Sequence, residues 1–422
     1  MTIAIFTDTF YPMVNGVVTA ILNIAEPFAD KGHKVIIVTP NIKSKETYSY
    51  PGIIVKKIKS LPAGFYEDFR WTPPNSYSTY KLLKNEKVDI VHFTSPWTTC
   101  YLGIKLARAL NIPVIGTFHT YISDPSYYEH ALKGIIKISE KTPWNYINMY
   151  YNKADFITAP SQYTLNDMHE NGCNVKGKVI SNGIDSKIFD NSNWKDFKEK
   201  YQLGNNTVLF FGRIAQEKNL PVLIDGFTKA WEKEKDLQLL IIGEGPLRKS
   251  FQKKLRTEPV NKNIIFTGAI PHEDLVKSGV FKACWLCATA SKTENQPMTI
   301  LEAQVNGMVC IGANAKGIPD LIVNNENGLL FSADNSNEIS DAILKLYHDD
   351  KLYTKFKKNT LELIKKHDIT NITLAWEDCY SKVIENYQKG LYEKKDYLHT
   401  REILSIFKEF KFDYKALLHK KT

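Results

Sequence analysis

The chain has 422 residues, 43% of them hydrophobic, which is enough for two or three domains with cores of ordinary size. Its 55 basic against 46 acidic side chains give a net charge of +9, compatible with an anionic partner without naming one. No apolar run reaches the roughly 18 to 20 residues that cross a bilayer, and the opening Met1 to Thr7 lacks a basic n-region, so a transmembrane span and a secretory leader are both disfavoured. Six scattered cysteines fit the reduced thiols of a cytoplasmic protein. Cys284 and Cys287 form a CxxC inside an apolar run that reads as a buried strand, so they are expected to be structural.

Strand-like runs at Ile3 to Thr7, Lys34 to Thr39, Ile53 to Lys57, Asp89 to Phe93, Val114 to Phe118, Phe156 to Ala159 and Val179 to Ser181 alternate with helix-length segments. Short continuous apolar strands joined in this way predict a parallel sheet with helices on both faces. The pattern restarts with Val208 to Gly212, Leu237 to Gly243, Ile264 to Gly268, Cys284 to Ala288, Val309 to Gly312 and Gly328 to Phe331. The turn signal Asn182-Gly-Ile-Asp185 marks the join. The expected organisation is α/β, with Rossmann-like domains over residues 1–186 and 187–370 and a C-terminal helix and basic aromatic tail over 371–422. That helix carries Trp376, Val383 and Tyr387 on related faces, and the tail is expected either to pack back on the first domain or to touch a membrane. Open parallel sheets bind ligands beyond the carboxyl ends of their strands, so two such sheets facing each other would make an interdomain cleft.

The strand ends hold the candidate chemistry. Gly16 follows the first strand at the mouth of a helix and can offer backbone to a phosphate. His119 ends the strand Val114 to Phe118, where a histidine is either packed or projects toward a ligand. Arg213 and Lys218 follow Gly212 in a short loop and can together meet a diphosphate, the arginine by its fork and the lysine as a point charge. Gly243-Glu-Gly-Pro246 lacks the third glycine of a dinucleotide fingerprint and reads as a tight turn. Glu294 and Glu302 can face one ligand if a helix begins between them, and the amides of Met298, Thr299 and Ile300 would open that helix toward phosphate.

In this order the elements resemble glycosyltransferase family 4, retaining enzymes of the GT-B fold that use nucleotide-activated sugars, over residues 1–390. The resemblance implies two Rossmann-like domains facing a cleft. It also implies that Arg213 and Lys218 hold the donor diphosphate, that Glu302 holds the ribose and that Glu294 contacts a sugar hydroxyl. Gly16 would offer backbone to the phosphates, main chain at Ile270 would meet the base, and Met298 and Thr299 would join the donor site. His119 matches the histidine beside the donor sugar and reaction centre, so the catalytic set is His119, Arg213, Lys218 and Glu294. Neither a metal nor another cofactor is implied beyond the nucleotide-sugar donor. One departure is Gln296-Pro297-Met298, where many relatives carry Phe-Gly-Leu or Gln-Gly-Leu; proline removes a main-chain donor that could meet the sugar.

Within the family the opening Phe6 to Val18 looks most like bacterial enzymes that glucosylate diacylglycerol. Lys133, Lys137, Lys141 and Lys153 face a single acid, Glu140, amid Trp144, Tyr146 and Tyr150, a composition that suits a helix lying on an anionic bilayer. A second patch joins Lys56, Lys57 and Lys59 to Leu61, Phe65, Tyr66, Phe69 and Trp71. The expectation is therefore a cytoplasmic enzyme on the inner face of the membrane that moves glucose from UDP-glucose to a lipid acceptor. The alternatives are a soluble enzyme of the same fold using GDP-mannose or a UDP-sugar, and a non-catalytic sugar-nucleotide binder. Nucleic acid is not an expected partner, because the cations follow neither a recognition helix nor an aromatic sheet.

Overall fold

In a computed structural model, residues 1–13, 15–42, 47–63, 70–121, 136–137, 141–397 and 411–412 are described. The chain divides into two compact units, residues 1–182 with 370–422, and residues 183–369. The first therefore closes four residues before the expected boundary at 186, and the C-terminal helix belongs with it.

The first unit is built on a parallel sheet of seven strands. Their spatial order is Gly177–Val179, Phe156–Ala159, Val114–Thr117, Ile90–Phe93, Thr2–Phe6, Lys34–Pro40 and Ile53–Ile58. The chain first builds outward from Thr2–Phe6 in one direction and then, from Ile90–Phe93, in the other, so the topological switch lies between those two strands. There Asp8, nearly buried, accepts hydrogen bonds from Ser95 Oγ at 2.8 Å and from the Thr99 amide at 2.9 Å. It thus caps helix Thr98–Leu110, whose own N-cap residue, Trp97, makes no side-chain capping bond. Burial raises the Asp8 carboxyl pKa, against those hydrogen bonds.

Helix Ile369–Gln388 buries Ile372, Trp376, Cys379, Tyr380 and Val383 in the cluster that includes Ile3, Ile5 and Phe28. Their spacing of three and four residues places them on one face, so the helix covers one side of the first sheet. Its Tyr380 hydroxyl meets His92 Nδ1 at 2.7 Å, and His92 Nε2 meets Thr117 Oγ1 at 2.6 Å. Burial, with a smaller contribution from the nearby His119, pushes the His92 pKa down to about 3, which keeps the ring neutral.

The second unit holds a six-stranded parallel sheet in the order Ile264–Gly268, Gln238–Ile242, Thr207–Phe211, Leu286–Thr289, Val309–Ala313 and Gly328–Phe331. Its switch lies between Thr207–Phe211 and Leu286–Thr289. Both sheets read in sequence as short apolar runs because both of their faces are covered. Cys284, Cys287 and Cys310 are buried free thiols here, with Cys287 opposite Cys310 on neighbouring strands.

Trp376 is only 2% exposed. Trp376→Ala is expected to destabilise the first unit by about 3 to 5 kcal/mol, as large core truncations do. Urea unfolding followed by hydrogen exchange at the first-sheet amides measures it; unchanged protection there would detach the helix from this core.

Candidate active site

The loops that leave the two switch-point strands of the second unit are tied together. Strand Thr207–Phe211 runs into Gly212, Arg213 and a 3-10 turn, Gln216–Lys218. The Glu217 carbonyl accepts from Ser291 Oγ at 3.3 Å and from the Lys292 amide at 3.3 Å, drawing in the loop after Leu286–Thr289. Asn219 sits at φ 49° between the turn and helix Leu220–Lys233, and its side-chain amide donates to the Ala333 carbonyl at 2.8 Å. These ties deliver Lys218 Nζ onto Glu294 Oε1. The Gly317 amide fixes the Glu294 carbonyl at 2.9 Å.

Close backbone approach makes this possible. A Cβ on Gly243 would stand 1.9 Å from the Gly212 carbonyl oxygen, and one on Gly245 would stand 2.2 Å from that of Ile214. The Gly243 to Pro246 segment is thus more than a tight turn: the Ile214 amide donates to the Glu244 carbonyl at 2.8 Å, so the turn props the loop that carries Arg213. Gly212 and Gly243 have φ of 137° and 150°, a region other residues rarely adopt.

The side chains of Lys218 and Glu294 are 26% and 16% exposed. Burial alone would lower the Lys218 pKa, but the Glu294 charge and hydrogen bond outweigh it and leave it raised. Burial likewise pushes Glu294 up, and the Lys218 charge, with hydrogen bonds from Lys218 and Ser291, brings it below its ordinary value. Arg213 stands exposed in the same loop.

Helix Met298–Val305 begins between the two glutamates, as their spacing requires. Its N-cap is Pro297 in extended backbone, with no side-chain cap. The Ile300 amide donates to the Pro297 carbonyl at 3.1 Å. That corrects the expectation that Ile300 opens toward phosphate, because the first helical turn has already engaged its N–H; Met298 and Thr299 precede it. The Thr299 methyl lies 3.9 Å from where a Cβ on Gly212 would sit, so the helix start abuts the end of the first strand of this unit. Glu302, only 5% exposed, receives His272 Nε2 on its Oε1 at 3.1 Å. Ile270 lies two residues before that histidine, partly buried against the core.

In the first unit, Gly16 is exposed at the start of helix Gly16–Asp30, and Asn15 caps the Val17 and Val18 amides at 3.1 Å each. His119 follows strand Val114–Thr117 with its ring half-buried. Its Nε2 is buried and has no hydrogen-bond partner among the described residues, and burial lowers its pKa to about 4.

The basic aromatic segment is a correction. Helix Lys141–Tyr151 buries Ile147, Tyr150 and Tyr151, while Trp144 stacks on Phe118 with ring centroids 5.8 Å apart. Of the aromatics that looked available to lipid, Tyr150 lies in the first unit's core and Trp144 and Tyr146 pack half-buried against it, because that face of the helix has a sheet to cover. Lys133 lies outside the described residues, as does the side chain of Lys137; Lys141 is exposed and Lys153 half-buried. The other patch differs: Leu61 and Trp71 pair across a short antiparallel ribbon and are 71% and 42% exposed, beside exposed Lys59. Phe65, Tyr66 and Phe69 lie outside the described residues. No helix of the described residues is long and apolar enough to cross a membrane.

Sequence reasoning missed Ser291, Asn219 and His272, single polar residues in a loop or at the start of a helix, whose neighbours are set only by folding.

Residues 14–187 match the family model Glycosyltransferase Family 4, and residues 191–363 match Glycosyl transferases group 1. The chain belongs to glycosyltransferase family 4. It is thus a glycosyltransferase, with two Rossmann-like parallel-sheet domains as in GT-B enzymes. It is 28% identical to the alpha-monoglucosyldiacylglycerol synthase of Streptococcus pneumoniae over 93% of this chain and 85% of that one. It is 26% identical to a GDP-mannose-dependent alpha-mannosyltransferase of Corynebacterium glutamicum, over 92% of this chain and 88% of that one. Among solved structures, Anabaena HepE in complex with UDP has a TM-score of 0.71 at 17% identity, covering 90% of this chain and all of that one.

The ion pair sets a pH dependence with two limbs. Glu294 titrates below its ordinary 4.5, so its contribution to stability is present above that value and is lost as the pH falls through the folded-state pKa. Lys218 titrates above its ordinary 10.5, so its contribution is complete below that value and is lost as the pH rises through the folded-state pKa. The difference in thermal midpoint between wild type and Glu294→Gln should hold steady from neutral pH down to the ordinary carboxylate value of 4.5 and narrow below it. A difference that persists unchanged to the most acid pH would mean that the pair is not formed.

Proposed function

We propose that this glycosyltransferase moves glucose from UDP-glucose to the hydroxyl of a membrane lipid such as diacylglycerol, with retention at the anomeric carbon. The observation that carries the donor side is the Lys218–Glu294 pair beside the uncapped start of helix Met298–Val305, at the switch point of the second sheet. A ligand that brings both a diphosphate and a sugar hydroxyl suits a cation and a carboxylate that are already desolvated and adjacent. Lys218 and Arg213 would bear the charge developing on the diphosphate as the bond from the anomeric carbon to its oxygen breaks. Glu294 would take a sugar hydroxyl and Glu302 the ribose, with main chain at Ile270, Met298 and Thr299 completing the donor contacts. The bond to the acceptor oxygen forms on the same face, and the acceptor's proton passes to the departing diphosphate. Gly16 would offer backbone to the phosphates. His119, neutral and with a ring nitrogen that has no partner among the described residues, would serve the donor sugar.

The lipid acceptor is supported by the similarity to the streptococcal synthase over nearly the whole chain and by the exposed Leu61 and Trp71 beside Lys59. An apolar ribbon edged by lysine suits docking on the anionic inner face of a membrane. The rival reading is a GDP-mannose-dependent enzyme, favoured by the similarity to the Corynebacterium protein. Incubation with UDP-glucose or GDP-mannose and vesicles containing diacylglycerol separates them: the proposal expects a hexosyl-diacylglycerol by mass from UDP-glucose. Transfer from GDP-mannose alone, or only to water-soluble acceptors, would overturn it.

Removing a preorganised contact to developing charge costs roughly 2.7 to 4 kcal/mol, so Lys218→Ala should lower kcat about a hundredfold or more in a folded protein. Unchanged turnover would remove Lys218 from the diphosphate. The double variant Leu61→Ser, Trp71→Ser should stay in solution in a flotation assay with anionic vesicles that carry the wild type upward, yet keep its turnover on detergent-dispersed acceptor. Equal flotation of both proteins would acquit the ribbon.

A further inference from the structure

Glu302 is a carboxylate with one oxygen held and the other open. Its side chain is 7% exposed, its Oε1 meets His272 Nε2 at 3.1 Å, and its Oε2 makes no hydrogen bond among the described residues. The little surface this carboxylate keeps leaves Oε2 within reach of solvent, and so of a donor brought by a ligand. His272 is built to stay where it is. It opens the one-turn helix His272–Leu275 directly after Pro271, whose carbonyl accepts from the Asp274 and Leu275 amides at 3.0 and 2.9 Å. Its pKa is raised, first by the bond to Glu302 and against the effect of burial, so the ring favours the form that donates from Nε2.

We propose that His272 is a positioning residue: it clamps Oε1 of Glu302 and so presents Oε2 to the vicinal diol of the donor's ribose. This rests on the proposed role of Glu302. A carboxylate accepts a diol well only when its plane is fixed, and the helix holds Glu302 by its backbone alone, with the Asn306 side chain donating to its carbonyl at 2.7 Å. His272 supplies the missing constraint at the other end of the side chain.

Calorimetric titration with a ribonucleoside diphosphate and its 2′,3′-dideoxy analogue tests it, using UDP or GDP, whichever the wild type binds. His272→Ala should weaken the ribonucleotide about tenfold or more, the scale of a hydrogen bond to a charged group. The dideoxy nucleotide, which has no diol to present, should bind as before. His272→Gln, which keeps a side-chain N–H donor, should recover part of the loss, and kcat at saturating donor should change little. Equal weakening of both nucleotides by His272→Ala, or no weakening of either, would overturn the positioning role while leaving Glu302 on the ribose. A wild type that binds the two nucleotides equally would remove Glu302 from the ribose, and His272 with it.

Discussion

One lysine and one glutamate, drawn mostly out of water, hold the second unit's two central loops against each other. Taking two such charges from solvent costs several kcal/mol each, and their attraction offsets this only with good geometry and further hydrogen bonds. Here the Glu217 carbonyl, Ser291 and Gly317 supply the geometry from three separate segments of chain. Stability alone gives no reason for such a pair, since apolar packing of the same volume does as well or better. A ligand gives one. Lys218 and Glu294 have already borne the desolvation that a diphosphate and a sugar would otherwise impose on them, so little reorganisation remains when the ligand arrives.

The sheet topology determines where such a pair can stand. Neighbouring strand ends usually have helices leaving on the same side, which crowds the space above them. At the switch between Thr207–Phe211 and Leu286–Thr289 the connections depart in opposite directions and leave room. The glycines then let the loops close down on that space, Gly243 against Gly212 and Gly245 against Ile214. The first sheet repeats the logic at its own switch with different chemistry. There Asp8 is consumed by Ser95 and the Thr99 amide, so its carboxylate serves the fold, and the exposed feature is the helix start at Gly16.

Much of this was legible in the residues because parallel strands covered on both faces leave an unmistakable run of apolar positions, and because Glu294 and Glu302 are spaced for one ligand only if a helix starts between them. What could not be read is which face of a helix is already taken. The segment Lys141–Tyr151 has the composition of a membrane helix, yet Trp144 stacks on Phe118 and Tyr150 and Tyr151 are buried. Composition records that aromatics and lysines are neighbours in sequence; only the sheet decides that the aromatics turn inward. His272 was illegible for the opposite reason. Nothing local distinguishes it from any histidine after a proline, and its meaning comes from a helix that lies 30 residues onward.

The C-terminal helix shows how far such long-range meaning extends in the first unit. Tyr380, His92, Thr117 and Thr158 form one line of contacts at 2.7, 2.6 and 2.5 Å, linking helix Ile369–Gln388 to three adjacent strands. All four groups are hydroxyls or a neutral ring, so the line adds no charge to the core and every partner finds another. Burial disfavours a charge on His92, and the neutral ring braces the strand Val114–Thr117 through Thr117. The strand Val114–Thr117 is thereby held by side chains as well as by its short backbone ladders to both neighbours.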